Sequence, residues 1–256
     1  MAKIPLRAYT REIERLIASD QAAQAIAHCR AILAVYPRHL TALRLLGTAG
    51  LQAADHIPAK AAYLQVLASI PDDLVSHIGL SVLLEIGGEL EPAVWHMQRA
   101  FEIQPANPAL KEDLSRLRLL LKSGEPPVLL LSRYALARMY QKGGLYTQAS
   151  AEILAALVEE PQRLDLQCLL IQVYRQSGEL DEAAQIAETV LEKLPDCLEA
   201  NLALFQAAAS VDQADKIVAV RQRLQALDPY YAGLSQDALD PRLVPDAFIE
   251  FNRPDW

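Results

Sequence analysis

Apolar residues along this chain recur every three to four positions in runs of about four turns, the period of a helix that buries one face. The first two predicted helices cover residues 5 to 18, with Tyr9, Ile13 and Leu16 on one stripe, and 20 to 35, around Ala25, Cys29 and Ile32. Pro37 ends the pair, since proline lacks the N–H and crowds the residue before it. The next pair, to Pro71, carries Leu43, Leu46 and Gly47 in its first helix and Ala59, Tyr63 and Val66 in its second; Pro58 falls near the second helix's start, where a missing N–H is tolerated. The third, to Pro105, has Leu80 and Leu84, a Gly87-Gly88 turn, then Ala93, Met97 and Ala100. The fourth, from about Leu131 to Pro161, has Leu136, Ala137 and Tyr140, a Gly143-Gly144 turn, then Ala149, Ile153 and Ala156. The fifth, Pro161 to Pro195, has Leu170, Ile171 and Tyr174, a turn at Gly178, then Ala183, Ala187 and Val190. A sixth, closing at Pro229, is degenerate: Asp212 replaces the turn glycine, and Ile217 and Arg221 stand where small or apolar residues are expected.

The closing prolines keep time. Pro37, Pro71 and Pro105 are 34 residues apart, and so are Pro161, Pro195 and Pro229. A fixed step of that length is the signature of stacked helical units, none of which can bury its apolar face alone. The 56 residues between Pro105 and Pro161 hold one unit and an insertion. "NPALKEDLSRLRLLLKSG" reads as one unpaired helix, with Asn107 as N-cap, Pro108 at the first helical position and Gly124 past its end. "EPPVLLL" then reads as an extended linker, and Ser132 can cap the fourth unit. The expected organisation is three repeats over 1–106, extra helix and proline linker over 107–130, three repeats over 131–229, and a tail or cap over 230–256.

These residues carry a family resemblance. The 34-residue step, a small residue midway along the first helix (Gly47, Ser81, Ala137), another early in the second (Ala59, Ala93, Ala149, Ala183) and a closing proline resemble the tetratricopeptide repeat (TPR). "YRQSGELDEAAQIAETVLEKLP" is the best single match, and the likeness covers roughly residues 5 to 229 less the insertion. It implies an all-α fold, a right-handed α-solenoid of about six helix–turn–helix repeats with one extra helix between repeats 3 and 4 and an irregular C-terminal tail. It also implies that first helices line a concave groove in which partner peptides or helices lie. By phase, that groove presents Tyr134, Arg138, Gln141 and Lys142, then Cys168, Gln172, Arg175 and Gln176, then Leu202 and Gln206. The second repeat adds Arg44, Thr48 and Gln52, the third Val75, Ile78 and Val82. The Lys and Asn set by which chaperone-binding members clamp a carboxylate is not reproduced.

Composition narrows the function. Hydrophobic residues make up 52% but aromatics only 6%, which suits many closely packed helices rich in Ala and Leu. A net charge of −8 argues against nucleic-acid binding, which needs a basic face. Charge is uneven, however: residues 107 to 142 carry a net +4, leaving about −12 elsewhere. This stretch reads either as a solvated face or as a docking zone for an acidic segment. No apolar run is long enough to span a membrane, no secretion signal is apparent, and three cysteines without metal-type spacing read as reduced thiols of a cytoplasmic protein.

The tail lacks helical period and carries a net −3, yet holds Tyr230, Tyr231, Phe248, Phe251 and Trp256. It reads as a cap for an exposed repeat face, or as a short motif, "DAFIEFNRPDW", offered to another protein or folded back into the chain's own groove. Catalytic, metal and cofactor signatures are missing: the five histidines are scattered, and no phosphate-binding loop, zinc motif or nucleophile elbow occurs. The expected function is a non-enzymatic interaction scaffold, alternatively an assembly subunit that engages its partner through the acidic aromatic tail.

Overall fold

The computed structural model describes residues 2–121, 130–210, 213–233 and 244–251. Thirteen helices are seen among them, α1 to α13, with one two-stranded ribbon. They divide into two compact units, residues 67–207 and residues 1–66 with 208–256; the boundaries fall inside α4 (His56–Ser69) and α12 (Leu198–Ser210).

The 67–207 unit contains α5 (Leu74–Ile86), α6 (Leu90–Ile103), α7 (Pro108–Leu121), α8 (Arg133–Lys142), α9 (Tyr146–Glu159), α10 (Leu164–Ser177), α11 (Leu180–Lys193) and the start of α12. Successive helices pack as pairs, α5 on α6, α8 on α9 and α10 on α11, as the repeat predicts. Ala93, Ala149 and Ala183, the small residues early in each second helix, are fully buried, and the Ser81 hydroxyl donates to the Ala93 carbonyl at 2.8 Å across one crossing. Such approach of two backbones needs side chains no larger than these. The insertion helix is α7, which lies against α6; the Asn107 carboxamide oxygen accepts from the Ala109 N–H at 3.1 Å, the expected cap. Asp73 and Ser132 cap α5 and α8 in the same way. The proline linker at 126–127 lies outside the described residues.

The other unit contains α1 (Leu6–Ala18), α2 (Ala22–Val35), α3 (Leu40–Gln52), most of α4 and α13 (Ala214–Leu227). Gly47 is required by packing: a Cβ there would stand 2.5 Å from the Tyr63 ring of α4. The tight turns show why glycine marks the repeat. The left-handed position is Gly88, Gly144 or Gly178 in three of them, whereas Asp20 and Ala54 occupy it with φ of 61° and 57° in the first two. Asp20, Ala54 and Gly88 are 34 residues apart, so the backbone repeats even where the residue does not.

The tail departs from the irregular segment expected from sequence. It forms a 3-10 turn at Pro229–Gly233 and a strand, β2 (Phe248–Phe251), antiparallel to β1 (Ala2–Pro5) with Ile4 opposite Ile249. The pairing extends into α1, where the Leu6 N–H donates to the Ala247 carbonyl at 2.8 Å. Ile249, 1% exposed, and Tyr230 join Leu6, Tyr9, Ile13, Ala25, Cys29 and Ile32 in one core. Thus Tyr230 serves the first helix pair, which its place after the last repeat did not suggest. Arg7 fixes it there, its guanidinium 3.9 Å above the Tyr230 ring and donating to the Val244 carbonyl, while the Tyr230 hydroxyl donates to Asp246 at 2.7 Å.

Candidate functional site

Within the 67–207 unit, α8, α10 and α12 are the first helices of three successive pairs, and their side chains meet in one polar row. On α8 the Arg138 guanidinium donates to Asp72 at 2.6 Å. One turn on, the Gln141 carboxamide N–H donates to Gln172 at 2.7 Å and to Gln176 at 3.2 Å, both on α10. Gln172 donates in turn to Glu199 on α12 at 3.2 Å. Arg175 completes the chain, bonding Glu199 and, at 2.5 Å, the Gln206 oxygen. Spacings of three and four place these residues on one side of each helix, and the 34-residue repeat aligns the helices.

Not all of the phase-assigned residues are presented. Tyr134 is 2% exposed; its hydroxyl donates to Asp72 at 3.3 Å and its ring lies under the Arg163 guanidinium. Burial pushes its phenol well up from the ordinary value, and its role is to position Asp72 and Arg138. Arg138, Gln172, Arg175 and Gln206 are half-buried, Gln141 is buried, and Lys142 and Gln176 are exposed. Cys168 is buried. In the first two repeats Gln52 donates to Asp20 at 2.7 Å, and the Thr48 hydroxyl returns to its own helix at the Arg44 carbonyl.

Two carboxylates central to the row were missed from sequence: Asp72 and Glu199. Asp72 lies in the turn one residue after Pro71 and Glu199 in the first turn of α12, four after Pro195; the two share no repeat phase, so the sequence carried no signal for them. They change the electrostatics, because Arg138 and Arg175, the two arginines of the row, face a carboxylate each. A second cluster continues from Asp72: Arg163 bonds Asp165 at 2.5 Å and Glu102 at 3.1 Å, and Arg99 reaches Glu102 at 3.2 Å. Beside it the His77 Nε2–H donates to the Pro71 carbonyl at 3.0 Å, leaving Nδ1 to accept from His96 at 2.9 Å; burial keeps His77 below its ordinary pKa.

Of the tail residues singled out, Phe248 is half exposed in β2, the Phe251 side chain and the whole of Trp256 lie outside the described residues. The described part of the motif is paired with β1. Among the described residues no group of three metal-ligating side chains occurs, and no helix is long and apolar enough to cross a membrane.

No family model and no curated protein matches the chain. Solved structures do: pilF of Pseudomonas aeruginosa, at 15% identity over 87% of this chain and 91% of that one, with a TM-score of 0.35; the MamA protein, at 15% over 73% and 90%, TM-score 0.39; and a thermophilic TPR protein of Thermus thermophilus, at 22% over 83% and 98%, TM-score 0.39. The chain resembles TPR proteins, and its fold is all-α, made of helical repeats; at these scores the reading rests on the chain's own helix pairs, turns and 34-residue step.

Proposed function

We propose that this protein is a non-enzymatic interaction scaffold whose α8–α10–α12 face receives a partner's peptide or helix. The observation that carries the reading is the row from Gln141 through Gln172 and Arg175 to Gln206, hydrogen-bonded from helix to helix. A carboxamide both donates and accepts, so rearranged glutamines can satisfy the N–H and C=O groups of an extended peptide. With Asp72 and Glu199 opposite the arginines, backbone recognition fits the site better than attraction of an acidic segment; Lys142 is the exposed cation that favours an acidic residue at one end. Three free thiols support a cytoplasmic setting.

The test is affinity capture from the protein's own cell extract, comparing wild type with Lys142→Glu/Gln176→Glu. Both positions are exposed, whereas reversing Arg138 or Arg175 would set like charges against half-buried carboxylates and confound binding with folding. Loss of at least about tenfold in partner recovery, with unchanged helicity, is the expected result; each 1.4 kcal/mol is a factor of ten. Equal recovery overturns the reading, and loss on deleting residues 252–256 instead, which spares β2 and the buried Ile249, would move the interaction to the tail.

A further inference from the structure

Cys168 and Cys197 stand apart from the remaining cysteine. Their sulfurs are 3.4 Å apart, one on α10 and the other immediately before α12, and both are buried, at 2% and 0% exposure. Cys168 lies one turn before Gln172, and Cys197 lies two residues before Glu199. The pair therefore ties together the two helices that the Gln172–Glu199 hydrogen bond joins. We propose that Cys168 and Cys197 are a reversible disulfide site, a redox-controlled fastening of α12 to α10 at the polar row. It does not depend on the partner-binding reading.

The surroundings distinguish the two sulfurs. Cys197 shares an S–H···S hydrogen bond with Cys168, in which either sulfur can donate, and is met by the N–H groups of Ala200 and Glu199 at the start of α12; together these contacts hold it below the ordinary thiol range against its burial. Cys168, bonded to Cys197 and buried, is pushed up. The N–H groups at the start of α12, which directly follows Cys197, favour a thiolate there, so Cys197 is assigned as the attacking sulfur and Cys168 as the resolving thiol. The oxidant is hydrogen peroxide, small and uncharged enough to enter a site closed to bulky disulfides. The Cys197 sulfur attacks one peroxide oxygen, the O–O bond breaks, and the departing hydroxide takes the proton that Cys197 released, giving sulfenic acid and water. The Cys168 sulfur then attacks the sulfenic sulfur. The S–S bond forms as the S–O bond breaks, and the second hydroxide leaves with the Cys168 proton as water. Two thiols lose two electrons in all, and one peroxide becomes two waters. Dithiothreitol, once denaturation has exposed the link, reverses it by thiol–disulfide exchange. Cys29 is the internal control, for burial alone pushes its thiol up to about 12, and its core is built from the other unit.

The experiment is peroxide treatment of the full-length native protein, followed by quenching, denaturation, alkylation of remaining thiols and tryptic mass mapping. The expected result is loss of two of the three thiols, retention of Cys29, a disulfide joining peptides 164–175 and 194–216, and recovery of all thiols with dithiothreitol. Persistence of all three thiols, pairing of Cys29, or a link only between chains overturns the proposal. Cys197→Ser, checked for helicity, should keep Cys168 fully alkylatable after peroxide; its loss there would equally count against the pairing. The wild-type map decides the question even if that variant fails to fold.

Discussion

The two units reach a buried core by opposite routes. In residues 67–207 each helix packs on a neighbour close in sequence, so that Ala149, Ile153, Leu170 and Val173 meet across α9 and α10 with few residues between them. In the other unit Leu6, Tyr9 and Ile13 meet Tyr230 and Ile249, from opposite ends of the chain. Local pairs need little loop-closure entropy, whereas a strand pair joining residues 2–5 to 248–251 must be stabilised by everything packed around it. An isolated two-stranded ribbon is marginal in water; here β1 leads directly into α1, and the buried face of Ile249 supplies the rest. The lesson is that repetition stabilises the first unit through identical local solutions, and contact between chain ends stabilises the second through one non-local solution.

Three substitutions sharpen that contrast, in falling order of effect. Leu170→Ala removes a fully buried side chain among locally paired helices, at an expected cost of about 3–4 kcal/mol from lost transfer energy and cavity formation. Urea denaturation should show the fall, with faster amide exchange in α9 and α10 and unchanged exchange in β1. Ile249→Ala deletes the tail's buried anchor and should cost about 2 kcal/mol, the low end for an isoleucine, because the short ribbon can collapse around it. Hydrogen exchange should then rise in β1 and α1 while α10 keeps its protection; loss of protection in both places would mean that the two cores are not energetically separable. Ala54→Gly, at φ 57°, relieves a left-handed alanine and should stabilise by about 0.5–1 kcal/mol, since the strain removed exceeds the added freedom of the unfolded glycine. A lower melting temperature for that variant would show that the Ala54 methyl group contributes more by contact than its conformation costs.

The tail shows most clearly where sequence reading stops. Phe248-Ile249-Glu250-Phe251 does alternate, with Phe248 half exposed, Ile249 inside and Glu250 outside, bonded to Lys3 at 3.1 Å. Four residues of alternation are too short a signal to separate a strand from a disordered end, and nothing local in Ala2–Pro5 announces a partner. The candidate site was legible in a different way. Phase alone brought Arg138, Gln141, Gln172, Arg175 and Gln206 onto first helices, yet phase could not tell that Tyr134 is buried or that Asp72 and Glu199 would stand against the arginines. Those facts depend on how the Asp72 turn and α12 lie against α8 and α10, a distance in space with no fixed sequence separation.

The helix pairs, the glycine turns, the Asn107 and Ser132 caps, the small residues at the crossings and the insertion helix are legible from the chain alone, because each follows from periodicity, from missing N–H groups or from the room two backbones need, all set within about 34 residues. Packing in three dimensions adds that the tail becomes β2 against β1, that Tyr230 and Ile249 complete the core of the first helix pair, that the arginines of the polar row are matched by carboxylates, and that Cys168 meets Cys197. Each of these joins residues whose separation along the chain obeys no period, and only packing of the folded chain selects them.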